Sequence, residues 1–124
     1  MVRITSRLVE IAYVLLRVMT GLLFAEHGLQ KVFGLVGGTR MPLFSEFGLA
    51  GVIELLVGLM VAFGVFPRWA AVIASGEMAV AYFTVHAPKG FWPIQNGGEL
   101  AVLYCFVFLF IAAHGGGKLT LTRD

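Results

Sequence analysis

Ionisable residues lie within the apolar segments of this 124-residue chain. They include Arg17, His27, Lys31, Glu54, Glu77 and Glu99. A charge at the centre of a bilayer costs about 2.5–3.5 kcal/mol on insertion scales, so such side chains usually face a bundle interior and pair with one another. Carboxylates, an imidazole and an ammonium group brought together there can transfer protons, hold a polar head group, or simply neutralise one another.

The depth of each residue in its segment predicts its partners. At a rise of about 1.5 Å per residue, Arg17 and Glu77 both fall near mid-membrane, which predicts an ion pair between them that fixes the register of two helices. His27, Lys31 and Glu54 lie toward the opposite face. We expect these three to form an outer cluster together with Glu99, with Asn96 close by.

Several members of this outer cluster also have a simpler explanation. Asn96 and Glu99 are three residues apart, the spacing of a helix capping box. Lys31 lies at the end of its segment, where its side chain can reach the lipid head groups. His27 alone would be weak evidence for a site, so the prediction depends on several groups meeting at one depth.

The elements that must position these residues are four apolar segments. Hydrophobic residues make up 59% of the chain and charged residues 13%, against about 25% charged in soluble domains. We therefore predict an all-α membrane protein, an antiparallel bundle of four transmembrane helices that forms one domain over residues 1–124. A span needs about 20 apolar residues. The predicted spans are about 8–32, 47–66, 69–86 and 98–114.

The connections fit this topology. Pro67 ends the second span and can begin the third, so these two spans should be antiparallel neighbours. Trp92 lies in the loop before the fourth span and suits the membrane interface. The tail from Lys118 is predicted to be short and solvated. Both termini fall on the side that carries most of the loop lysines and arginines, which predicts that they are cytoplasmic. These basic residues are Arg3, Arg7, Arg68, Lys118 and Arg123.

No cofactor motif is visible in the sequence. The three histidines, His27, His86 and His114, lack the local spacing of a zinc site, and the chain has no flavin or phosphate-binding motif. Cys105 is the one cysteine, so it cannot form an intramolecular disulfide. Neither a metal nor a flavin is expected, and nucleic acid is not an expected partner at a net charge of +2.

The order and spacing of these residues resembles the DoxX family of small bacterial four-helix membrane proteins. The likeness covers nearly the whole chain, although no single motif is specific. It rests on Arg17-x3-Gly21-x5-His27-Gly28-x2-Lys31, Gly51-x2-Glu54-x3-Gly58, Glu77-Met78-x2-Ala81 and Asn96-Gly97-Gly98-Glu99.

The resemblance implies a multi-pass protein of the bacterial inner (cell) membrane. Relatives include a membrane subunit of a thiosulfate:quinone oxidoreductase and a member of a mycobacterial membrane complex linked to superoxide and thiol stress. Fold follows from such a likeness more securely than reaction does.

Three functions are compatible with the residues. The first is a quinone-linked redox subunit, in which His27 and Glu54 exchange protons as the catalytic groups and the ligand lies against Lys31, Asn96, Glu99 and Trp92. Electrons would come from a soluble or membrane redox partner. The second is a non-enzymatic scaffold that recruits such a partner. A proton or small-molecule transporter is the third. Separately, Glu26 lies on the far side of the first span, which hints at a homo-oligomer.

Overall fold

The computed structural model describes residues 2–123, with side chains from residue 4 onward, so Met1, Asp124 and the Arg3 side chain lie outside the described part. The described chain is helical and contains no strand. Its five α-helices are α1 (Val2–Phe33), α2 (Glu46–Phe63), α3 (Pro67–Ala81), α4 (Pro93–Asn96) and α5 (Glu99–His114). The predicted all-α class is confirmed.

Four of these helices form an antiparallel bundle, and α4 is a single turn before α5. Three helical segments are long and apolar enough to cross a membrane: Ile4–Phe33, Glu46–Phe63 and Pro67–Lys89. The fourth, α5, is equally apolar in character but has only 16 residues. The protein is therefore an all-helical membrane protein whose last helix is shorter than the three membrane-length segments.

Helices α1 and α2 pack with their backbones almost in contact. A Cβ atom added to Gly21 would lie 2.5 Å from the Gly58 carbonyl oxygen, and one added to Gly58 would lie 2.7 Å from the Gly21 carbonyl oxygen. Small residues at a membrane helix interface permit this approach and gain van der Waals contact. The glycines thereby set the position of Lys31 on α1 relative to Glu54 on α2.

Helices α3 and α5 form the second close pair. Ala70, Ala71 and Ala74 on α3 are fully buried against the core, which also contains Phe108 and Ile111 from α5. The hydroxyl group of Ser75 donates a hydrogen bond to the Cys105 carbonyl oxygen at 2.8 Å. Helix α2 packs less closely against α3 than it packs against α1. This difference leaves room between the α1–α2 pair and the α3–α5 pair.

The far end of α3 is irregular. After Ala81 the chain forms a π-helical turn over Tyr82–His86 and a 3₁₀ turn over Ala87–Lys89. π-helical turns widen a helix and are frequent at functional sites. The turn therefore changes the direction of the side chains that follow Ala81, close to the cavity described below.

The C-terminal tail keeps most of its side chains exposed, in agreement with the predicted solvated tail, but its backbone is hydrogen-bonded to the bundle. Gly64 ends α2 in the left-handed conformation (φ 71°), and Pro67 begins α3. The Leu121 amide donates to the Gly64 carbonyl oxygen at 3.1 Å, and the Thr122 hydroxyl accepts from the Phe66 amide at 2.8 Å. The hinge between α2 and α3 has backbone groups without helical partners, and the tail satisfies them.

Candidate functional site

The ionisable residues of the bundle separate into two groups at opposite ends. Arg17 lies toward the end that holds the α2–α3 hinge and the C-terminal tail. Lys31, Glu54 and Glu77 lie toward the other end. The predicted pair between Arg17 and Glu77 is therefore wrong.

Arg17 is bound by backbone carbonyl groups rather than by a carboxylate. Its side chain is 1% exposed, and its guanidinium group donates five hydrogen bonds at 2.5–3.3 Å. The acceptors are the carbonyl oxygens of Val61, Ala62, Gly116, Lys118 and Leu119. The last carbonyls of a helix lack intrahelical partners and carry its negative dipole end, so the C-terminus of α2 stabilises the cation.

Sequence reasoning missed this arrangement because any residue can supply a backbone carbonyl. The signal that was available is the run Gly115–Gly117, since glycines let a backbone approach a side chain closely. The Tyr13 hydroxyl also donates to the Gly115 carbonyl oxygen, at 2.5 Å. Arg17 and Tyr13 thus fix the tail to the bundle, away from the cavity.

Lys31 and Glu54 form a buried ion pair between α1 and α2. The Lys31 Nζ atom lies 2.9 Å from Glu54 Oε1 and 2.8 Å from Oε2. Glu54 is 1% exposed, while Lys31 is only partly buried. Removing one partner of such a pair leaves an uncompensated charge, which typically costs 3–5 kcal/mol.

A cavity of about 500 Å³ opens beside this pair, between the two helix pairs. Ionisable side chains from α1, α2 and α3 line it, among them His27, Lys31, Glu54 and Glu77. Most of the remaining lining is apolar. Cavities of about 300–1,000 Å³ with apolar walls and a few convergent polar groups are the usual form of small-molecule sites.

Glu77 belongs to this cavity, although sequence reasoning placed it with Arg17. Its carboxyl group interacts with that of Glu54, and its Oε2 atom is buried without a hydrogen-bond partner among the described residues. Glu54 lies about two turns inside the start of α2, and Glu77 lies a similar distance from His86 at the end of the π-helical turn. Counting from that end, rather than from Arg68, would have placed both carboxyl groups at one depth.

Aromatic rings form the wall nearest α5. The His27 ring meets the Tyr104 ring edge-on with centroids 6.0 Å apart, and Phe24 meets Tyr104 at 5.3 Å. All three residues line the cavity. A planar ring placed in the cavity would find edge and face partners here.

The other three predicted ligand residues are not part of the cavity lining. Asn96 is 3% exposed, and its amide donates to the Tyr82 hydroxyl at 3.0 Å and to the Gly90 carbonyl oxygen at 2.9 Å. Both of its N–H groups are therefore occupied. Its side-chain oxygen accepts from the Gly98 amide at 2.8 Å, so Asn96 closes a turn instead of capping α5.

Glu99 and Trp92 are exposed on the outside of the bundle. Glu99 lies in the first turn of α5, where a carboxylate is favourable to the helix dipole, and it borders a separate shallow recess. Trp92 is 60% exposed and packs edge-on against Phe91. Of the residues predicted for the outer cluster, His27, Lys31 and Glu54 line the cavity, and Glu77 lines it as well. Glu99, Asn96 and Trp92 do not line it.

No group of three or more metal-ligating side chains converges within residues 2–123. In the cavity the Lys31 ammonium group occupies both Glu54 oxygens.

Comparison with known proteins identifies relatives for nearly the whole chain. The DoxX family model matches residues 12–87. An "Uncharacterized protein" of Haemophilus influenzae is 41% identical over 113 residues, which cover 86% of this chain and 84% of the relative. The "Putative oxidoreductase CatD" of Bacillus subtilis is 31% identical over 118 residues, 90% of this chain and 85% of the relative. No solved structure matches the chain. The chain belongs to the DoxX family.

Proposed function

We propose that the protein is the membrane subunit of an oxidoreductase and that its cavity binds the head group of a quinone-like molecule. The observation that carries this proposal is the set of ionisable groups that line one apolar cavity within the bundle. The name of the Bacillus subtilis relative, an oxidoreductase, agrees in general terms. The identity of the ligand as a quinone and the existence of a redox partner protein are both parts of this proposal.

The fit between cavity and ligand is supported by two features. The volume of about 500 Å³ and the aromatic wall suit a substituted ring, and a buried carboxyl oxygen of Glu77 accepts no hydrogen bond from the described residues. Buried polar atoms rarely remain unsatisfied, so a group from a ligand is a natural partner for this one. A quinone carries ring oxygens that form such hydrogen bonds.

The chain's own residues would bind the ring and handle protons. A bound quinone supplies two-electron chemistry coupled to two protons. His27 and Glu54 can pass protons between the cavity and the outer end of the bundle, because both line the cavity and carboxyl and imidazole groups serve as acid and base. Lys31 holds Glu54 in place and favours a partial negative charge on a ligand oxygen. Electrons come from a redox partner protein.

The membrane placement completes the proposal. The protein lies in the bacterial inner membrane with both termini in the cytoplasm, as the basic residues at that end favour. The cavity then opens toward the outer half of the bilayer, where a lipid-soluble quinone can enter. Glu26 is exposed on a helix that crosses the membrane, and such a carboxylate favours contact with a second copy or a partner.

A non-enzymatic scaffold is the alternative function. The carbonyl cage around Arg17 favours it, because a buried cation held only by backbone groups has a structural role. The cavity has no such structural explanation. A transporter is less well supported, since the single bundle lacks the repeated halves typical of transporters.

Ligand binding tests the proposal directly. We expect a short-tailed benzoquinone to bind the protein in lipid nanodiscs above its partition into empty nanodiscs. His27→Leu should weaken binding by about tenfold, since it removes a polar group of the cavity lining. His114→Leu is the matched control, because His114 is exposed at the other end of α5. Absence of saturable binding to the wild-type protein would reject the proposal.

A further inference from the structure

We propose that Glu77 is the residue that contacts the ligand directly, as a neutral carboxylic acid, and that the cavity selects uncharged rings bearing a carbonyl or hydroxyl group. This inference rests on the proposed function and specifies the ligand class. It follows from the position of Glu77, from the charges around it, and from what a ligand must supply.

The position of Glu77 makes it the accessible carboxyl group. Glu54 is 1% exposed, and both of its oxygens accept hydrogen bonds from Lys31. Glu77 lines the same cavity, and its Oε2 atom has no hydrogen-bond partner among the described residues. The Glu77 carboxyl group also lies beside that of Glu54, but a ligand can bond to Glu77 without displacing Lys31, whereas bonding to Glu54 would compete with Lys31.

The charges around Glu77 favour its neutral form. The ionisable groups that line the cavity, besides Glu77, are His27, Lys31, Glu46, Glu54, His86 and Tyr104. Among the described residues, Lys31 is the one lysine or arginine in this lining, and it is paired with Glu54 at 2.8 Å. A second carboxylate beside that neutral pair would be a buried charge without a lysine or arginine counter-ion of its own, which is less favourable than a protonated carboxyl group. The pair therefore leaves Glu77 with its proton.

A neutral carboxyl group selects among ligands by charge. It donates a hydrogen bond through its hydroxyl and accepts one at its carbonyl oxygen, so it can bind either the carbonyl of a quinone or the hydroxyl of a quinol or phenol. An anionic ligand would have to approach the Glu54 carboxylate in a mostly apolar cavity. A monocation would need Glu77 to release its proton.

Titration calorimetry of the protein in nanodiscs tests the ligand contact. We expect a short-tailed benzoquinone to bind without net proton exchange, as measured in buffers with different ionisation enthalpies. Glu77→Ala should weaken binding by about tenfold, whereas Glu77→Gln should stay within about threefold, because an amide also donates and accepts. Glu26→Gln is the matched control, since Glu26 is exposed on the outside of α1.

Infrared spectroscopy supplies a readout that needs no ligand. It uses glutamine variants, so it remains informative even when the Glu77→Ala protein folds poorly. The wild-type protein should show the carbonyl stretching band of a protonated carboxylic acid, which Glu77→Gln removes and Glu26→Gln retains. A band unchanged in Glu77→Gln would overturn the neutral form.

The outcomes separate this inference from the function on which it rests. A wild-type protein that binds no quinone rejects the proposed function itself. Quinone binding that is equal in the wild type and in Glu77→Ala rejects only the role of Glu77. Tight binding of tetraphenylphosphonium with release of one proton, together with weak quinone binding, would show that the cavity selects cations instead.

Discussion

The ammonium nitrogen of Lys31 lies 2.9 and 2.8 Å from the two carboxylate oxygens of Glu54, and this ion pair joins α1 to α2 at the wall of the cavity. Both partners belong to helices that cross the membrane, where a lone charge is costly. The pair therefore stabilises the bundle and defines the charge of the cavity at the same time.

We predict strong coupling between the two partners of this pair. Lys31→Met leaves the buried Glu54 uncompensated, and Glu54→Gln leaves Lys31 without its counter-ion, so each single variant should lose about 3–5 kcal/mol of stability. The double variant should be less destabilised than the sum of the two, with a coupling energy of about 1–3 kcal/mol. Unfolding in detergent with a chemical denaturant measures all three. Additive losses would mean that the two side chains do not interact.

Arg17 should be the most sensitive arginine of the bundle. Arg17→Met removes five hydrogen bonds and leaves buried carbonyl groups unsatisfied, so we expect a loss of about 3 kcal/mol or more in the free energy of unfolding. Arg68→Met is the matched control. Arg68 is exposed, although it also donates to carbonyl groups at the end of α5, and its loss should cost about 1 kcal/mol or less.

The same variant tests the corrected position of Glu77. Because Arg17 and Glu77 belong to separate groups, the effects of Arg17→Met and Glu77→Gln on unfolding should add within about 0.5 kcal/mol. Strong coupling between them would restore the ion pair that the structure lacks.

Glycine spacing between α1 and α2 gives a prediction with an internal control. Gly21→Ala places a methyl group 2.5 Å from the Gly58 carbonyl oxygen, so the helices must separate, at a cost of about 1–3 kcal/mol. Gly76→Ala on α3 meets no atom within 4 Å and should be neutral or stabilising by up to about 1 kcal/mol. Thermal unfolding of both variants decides the matter, and equal effects would argue against the close packing.

Asn96 should contribute to the free energy of unfolding rather than to ligand binding. Asn96→Ala removes hydrogen bonds to the Tyr82 hydroxyl and the Gly90 carbonyl oxygen, which should cost about 1–3 kcal/mol without any ligand present. The neighbouring exposed Gln95 offers the control, since Gln95→Ala should change unfolding little. Unchanged stability in Asn96→Ala, combined with weaker ligand binding, would return Asn96 to the ligand-binding residues.

The sequence was sufficient for the helical class and for part of the site, for identifiable physical reasons. Apolar segments of membrane length predict helices because the bilayer requires internal hydrogen bonds. Lys31 and Glu54 could be placed at one depth because both are near helix ends of known direction. The partners of Arg17 could not be predicted, since a backbone carbonyl has no residue type. Glu77 was misplaced because its depth was counted from one end of a helix that continues through a π-helical turn.

Photolabelling with a short-tailed azidoquinone is the most direct test of the cavity as a quinone site. The account predicts that the labelled peptides contain cavity residues of α2 and α3, such as Ile53 and Met78, and that excess unlabelled quinone prevents the labelling. Ile53→Trp, which fills the cavity, should abolish the label, whereas Leu56→Trp on the exposed side of α2 should retain it. Label confined to lipid-facing residues, or unchanged in Ile53→Trp, would contradict the account.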